Sequence, residues 1–140
     1  MTTWNTIIVD DERIIREGLS QYVPWKQLGY HLMGCAKNTR EASSYFEGNK
    51  VHLLVTDIEM PGINGLDFLE SLSQEKRPAA AIIISGYDCT QYVKEISALE
   101  TRCIYMQKPI VLKEFIEALK TLNQHLSHFL VLRPSCFVQK

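Results

Sequence analysis

The chain has 140 residues, 46% of them hydrophobic and 22% charged. That is one domain's worth, able to bury about two-thirds of its unfolded surface, and the balance excludes disordered, collagen-like and coiled-coil classes. A formal charge of −1 lacks the basic surplus of a free-standing nucleic-acid binder, and no run of 18 apolar residues exists to span a membrane.

The predicted elements alternate. Residues 6–9 form a β-branched run that stops at Asp10-Asp11-Glu12. A helix follows, with Ile14, Ile15, Leu19, Tyr22 and Val23 along one stripe and Pro24 as its stop. Residues 30–36 read as a second strand. Thr39 is the expected N-cap of a helix over 40–46, closed by Gly48-Asn49. Residues 52–56 form a third strand, again ending in an acid, Asp57. After the Met60-Pro61-Gly62 loop, Asn64 caps a helix carrying Leu66, Phe68, Leu69 and Leu72. Residues 79–84 are an apolar fourth strand that ends in Ser85-Gly86. A helix over 87–99 has a stripe interrupted by polar residues. A short fifth strand, 103–106, leads into Gln107-Lys108-Pro109, and the clearest helix covers 111–126.

Strands that are apolar almost throughout require burial on both faces, as in a parallel sheet. The expectation is a single α/β, doubly wound domain. Ligands then bind just beyond the carboxyl ends of the strands. Four of the five strands deliver polar residues there: Asp10-Asp11, Asp57, Ser85 and Lys108. Two carboxylates about 4 Å apart repel by roughly 4 kcal/mol at an effective dielectric near 20, so the cluster wants a cation. All-oxygen ligation by a few carboxylates suits Mg²⁺. A carboxylate beside such an ion and a lysine suits phosphoryl transfer, with Asp as nucleophile and Ser85 as a donor to the transferred group. Each residue alone has a plainer role: a helix cap for Asp10-Asp11 or Ser85, a turn for Asp57, a solvated charge for Lys108. Their recurrence at successive strand ends is what favours the joint site.

The cysteines Cys35, Cys89, Cys103 and Cys136 form no CxxC pair. They read as buried free thiols in a reducing cytoplasm. Residues 1–5 have no basic region and no long apolar stretch, so no secretory signal is expected.

These residues carry a resemblance to the receiver domain of two-component response regulators. It rests on Ile7-Ile8-Val9-Asp10-Asp11-Glu12, on Thr56-Asp57-Ile58-Glu59-Met60-Pro61-Gly62-Ile63-Asn64-Gly65-Leu66, on Ile84-Ser85-Gly86-Tyr87 and on Lys108-Pro109. It implies a flavodoxin-like (βα)5 fold, a five-stranded parallel sheet of order 2-1-3-4-5, over residues 1–126. Residues 127–140 would be a tail or a truncated linker. It implies phosphorylation of Asp57 by a sensor histidine kinase. Mg²⁺ would be held by the acidic pair Asp10 and Asp11, by Asp57 and by the backbone carbonyl of Glu59. Ser85 and Lys108 would engage the phosphoryl group, the Lys108–Pro109 bond would be cis, and Tyr105 would turn inward on activation. Dimerisation is expected through the fourth helix, fifth strand and fifth helix. The domain would otherwise be no enzyme, beyond Mg²⁺-dependent self-phosphorylation and autodephosphorylation tuned by Glu59 and Tyr87.

A finer likeness, in Pro24-Trp25-Lys26-Gln27-Leu28-Gly29-Tyr30 and Ser85-Gly86-Tyr87-Asp88, is to receivers joined to AraC-type helix-turn-helix modules. Trp25 and Tyr30 are equally well explained by packing at a loop. DNA contact would come only through a helix-turn-helix domain for which the sequence up to Lys140 has no room. An excised receiver is the expectation, a natural single-domain regulator the alternative. Thr101 departs from the family pattern, standing where a glycine is usual. A pseudo-receiver that does not turn over phosphate would normally lack an acid or the lysine. A haloacid-dehalogenase-type phosphatase would want Asp, not Glu59, two residues after its nucleophile. A flavin binder would not place Asp10-Asp11-Glu12 where it needs a phosphate loop.

Overall fold

The computed structural model describes residues 3–129 and 138–139. Within it, β1 (Trp4–Val9), β2 (Tyr30–Ala36), β3 (Leu53–Asp57), β4 (Ala80–Ser85) and β5 (Arg102–Gln107) alternate with α1 (Arg13–Tyr22), α2 (Thr39–Ser43), α3 (Gly65–Ser71), α4 (Val93–Ala98) and α5 (Leu112–Phe129). The five strands are parallel and ordered 2-1-3-4-5, as expected. A sixth strand, β6 (Val138–Gln139), lies parallel on the outer edge of β5, pairing Cys103 with Val138. The rest of the expected tail, including Cys136, lies outside the described residues.

Side chains alternate across each strand, and the apolar runs divide accordingly. Ile7, Val9, Leu54, Ala81 and Ile83 enter a core with Phe46, Phe68, Leu69 and Ile96, under α2, α3 and α4. Ile8, Leu53, Val55, Ile82 and Ile84 enter a second core with Leu19, Phe115, Leu119 and Leu122, under α1 and α5. Both faces of β3 and β4 are thus sealed, which is why their polar residues, Thr56, Asp57 and Ser85, come only at the carboxyl ends.

Asn64 caps α3, its side chain accepting from Asp67 N at 2.8 Å. The N-cap of α2 is Asn38 rather than Thr39: Asn38 accepts from Glu41 N at 2.8 Å, and Glu41 reaches back to Lys37 N. That helix ends early, and 44–46 tighten into a 3-10 turn. The segment expected as one helix over 87–99 is instead a 3-10 turn at Cys89–Gln91, capped by Asp88, and a short α4. The interrupted stripe explains this, since only Ile96 of α4 is buried.

Trp25 and Tyr30 are packing residues. The Trp25 indole donates to Leu19 O at 2.9 Å and meets Tyr30 and Phe115 edge-on. The Tyr30 hydroxyl donates to Leu119 O, so the loop after α1 is pinned to α5. Thr101 is fully buried and donates to Pro78 O at 3.3 Å. Among the described residues no non-glycine residue has positive φ, so the Thr101 turn needs no glycine.

Candidate functional site

Strand order reverses between β1 and β3, and the crevice at such a point is where open α/β sheets place their chemistry. Asp10 follows β1 and Asp57 ends β3, both 1% exposed. Asp10 Oδ1 accepts from Glu12 N at 2.8 Å, fixing the turn into α1. Its Oδ2 and Asp57 Oδ1 are buried without a hydrogen-bond partner. Buried carboxylate oxygens normally find one.

Lys108, just beyond β5, extends into this cluster. Its Nζ lies 3.0 Å from Asp57 Oδ2, 2.6 Å from Glu12 Oε1 and 3.7 Å from Asp10 Oδ2. Its amide donates to Ser85 O at 2.7 Å, and the Lys108–Pro109 peptide is cis. Burial lifts the Asp57 carboxyl to about 6, helped by repulsion from Asp10 and opposed by Lys108. Burial likewise raises Asp10 against the pull of the Glu12 amide and Lys108. Burial favours the neutral form of Lys108, but the hydrogen bonds to Glu12 and Asp57 outweigh it and hold the ammonium firmly charged.

Asp10, Asp11, Glu12 and Asp57 offer oxygens within 4.8 Å of one another. One ammonium does not balance four acids, and two buried oxygens are orphaned. The donor set, hard and all oxygen, fits Mg²⁺. Glu12 is a member that sequence reasoning passed over, although it directly follows the acid pair. It is the nearest partner of Lys108.

Ser85 is fully buried at the end of β4. Its Oγ accepts from Tyr87 N at 3.0 Å, the cap-like role open from the sequence. Its hydrogen goes to Glu59, whose two carboxylate oxygens lie 2.7 and 2.9 Å away. Glu59 also accepts from Gly86 N at 3.2 Å and from the Tyr92 hydroxyl at 2.6 Å. Burial raises Tyr92, and the bond to the Glu59 carboxylate raises it further. Tyr92 is a second residue that sequence reasoning missed as a site member; its place on an expected helix stripe disguised it.

Tyr105, the expected switch residue, lies inward in this structure. It is already 3% exposed, packed in the α4-side core, with its hydroxyl donating to Tyr87 O at 2.6 Å. That carbonyl satisfies the phenol inside the core. Tyr87 itself is exposed.

Gly65, the first residue of α3, backs the acceptor. A Cβ there would stand 2.3 Å from Asp57 O and 2.5 Å from Thr56 Oγ1. On the opposite side an apolar groove, lined by Ile14, Ile15, Tyr22, Pro109 and Leu112, opens beside Glu12 and Lys108.

The chain is 31% identical, over 117 residues, to the uncharacterized transcriptional regulatory protein YesN of Bacillus subtilis, a match covering 84% of this chain and 32% of that protein. The chain therefore spans about a third of that relative's length. Among solved structures it resembles the REC domain of AraT, a response regulator from Geobacillus stearothermophilus (TM-score 0.73, 29% identity, 89% of this chain and 98% of that one). It also resembles a two component transcriptional regulator AraC from Clostridium phytofermentans (TM-score 0.79, 27% identity, 93% and 100%). The family model described as the response regulator receiver domain matches residues 6–120. With that match over most of its length, the chain belongs to the response regulator receiver domains of two-component systems.

Proposed function

We propose that Asp57 of this receiver accepts a phosphoryl group from the phosphohistidine of a sensor histidine kinase, with Mg²⁺, and that the added charge remodels the face of α4, β5 and α5. The observation that carries this is Lys108 Nζ at 3.0 Å from Asp57, beside two orphaned carboxylate oxygens. An Asp57 oxygen attacks phosphorus, the N–P bond breaks as the O–P bond forms, and the imidazole leaves with the electron pair and takes up a proton. Asp10, Asp11, Asp57 and the Glu59 backbone carbonyl would hold Mg²⁺, which when bound would supply positive charge against the phosphoryl oxygens. Lys108 neutralises a further part of that charge, and Ser85 donates its hydroxyl. The domain's own part is positioning, so small phosphodonors serve as well. Hydrolysis returns Asp57, with Glu59 and Tyr87 flanking the approach of water.

The kinase docks on the apolar groove beside Lys108, where Ile14 and Tyr22 are exposed. The names of the relatives favour a transcriptional output reading the α4–β5–α5 face, through homodimerisation and a helix-turn-helix module beyond these residues. No helix among the described residues is long and apolar enough to cross a membrane.

The test is phosphotransfer from a labelled histidine kinase, or from acetyl phosphate, to wild type and Asp57→Asn, followed by sizing. Label on wild type alone, with a shift towards dimer, is expected. Label on the Asn variant would refute the acceptor assignment.

A further inference from the structure

We infer that the Glu59 side chain is a latch: it holds the hydroxyl of Ser85 that the phosphoryl group must claim, and so sets the threshold at which the receiver switches. The inference rests on the phospho-acceptor reading of Asp57 and deepens it.

Three donors from three places converge on this one carboxylate. Ser85 Oγ comes from the end of β4, Gly86 N from the loop, and Tyr92 Oη from the start of α4. A serine hydroxyl has a single hydrogen to give. While it lies on Glu59, it is not available to a phosphoryl oxygen on Asp57. Hydrogen bonds to an ionised acceptor are the strong kind, so releasing Ser85 has a real cost.

The contacts continue beyond the carboxylate. Ser85 Oγ receives the Tyr87 amide at 3.0 Å, and the Tyr87 carbonyl receives the Tyr105 hydroxyl at 2.6 Å. One line of hydrogen bonds therefore joins Glu59, in the loop after the acceptor, to Tyr105 in β5, with a branch through Tyr92 to α4. A phosphoryl group carries about −1.5 to −2 charge against −1 for a carboxylate, so it outbids Glu59 for Ser85. Glu59 then keeps only Gly86 and Tyr92, and the segment between them is free to re-form. Glu59 is a positioning residue in this scheme and acts through Ser85.

The experiment has two arms. In the first, amide NMR of the protein before any phosphoryl mimic compares wild type with Glu59→Ala and Glu59→Gln. The Gly86 resonance should shift strongly in the Ala variant and less in Gln, which keeps an acceptor oxygen. An unmoved Gly86 amide would overturn the latch. In the second, beryllofluoride with Mg²⁺ is titrated into wild type, Glu59→Ala, Ser85→Ala and the double variant. Loss of negative charge tightens anion binding in both backgrounds, so the decisive quantity is the difference between them. Glu59→Ala should tighten binding roughly tenfold more with Ser85 present than with Ala there, the worth of one charge-assisted hydrogen bond. Equal tightening in both backgrounds would reduce Glu59 to a charge effect and overturn the latch alone. No beryllofluoride response in any variant would overturn the acceptor reading together with the competition built on it.

Discussion

Asp57→Asn should stabilise the metal-free domain. The wild-type carboxyl is almost wholly buried, has one oxygen without a partner, and titrates near 6 rather than the 3.8 of a free side chain. Between those two values the native state holds a proton that the unfolded chain has released. Stability therefore falls as pH rises from about 4 to about 6 and levels off above. At about 1.36 kcal/mol per unit, the ionised group costs the fold roughly 3 kcal/mol at neutral pH. Asn cannot ionise, so its curve lacks this decline. Part of the gain is given back because Lys108 loses one anionic partner, while it keeps Glu12 at 2.6 Å. The expected net gain is about 1–3 kcal/mol at pH 7.5, closing towards zero near pH 4. Urea titrations in EDTA at several pH values measure it, read as the difference between the two proteins so that other titrating groups cancel. Millimolar Mg²⁺ should then lift wild type, through binding to the native state only, and lift the Asn variant much less. An Asn variant no more stable than wild type at pH 7.5, or a gap that does not change with pH, would refute the claim that burial of this carboxylate is what strains the site.

Gly65→Ala should cost about 1–3 kcal/mol or more, because its Cβ would meet the Asp57 carbonyl at 2.3 Å. It should also slow phosphorylation by acetyl phosphate, and a variant as stable and as fast as wild type would show that α3 can retreat freely. Trp25→Phe removes the bond to Leu19 O and trims the contact with Phe115. A loss of about 1–3 kcal/mol by chemical denaturation, with the phosphorylation rate unchanged, would mark it as a purely packing residue.

The fold was legible because β3 and β4 are buried on both faces, which leaves apolar runs that alternate with helical stripes, the pattern of a parallel α/β sheet. The acidic pair, Asp57 and Lys108 were legible for a related reason, since each stands where an apolar strand stops. Contacts that join distant segments were not. Glu59 meets Ser85 across 26 residues and Tyr92 across 33, and the sequence assigned Glu59 only a backbone role as ligand and a tuning of hydrolysis. Glu12 lay beside a recognised motif, but its pairing with Lys108 spans 96 residues. The early end of α2 and the shortened α4 were not legible, because each breaks into a 3-10 turn within a stretch that reads as continuous helix. The strand β6 was unreadable because a two-residue segment has no periodicity.

The two cores on either side of the sheet also divide the site. Lys108, Glu12 and the apolar groove beside them adjoin the α1 side, whereas Glu59, Tyr92 and Tyr105 belong to the α4 side. The helix α5 is common to both proposed surfaces, since its Leu112 lines the groove. On the reading proposed above, a visitor delivering to the crevice and a visitor inspecting the result would meet at that helix, so loading and reading would take turns wherever their footprints overlap.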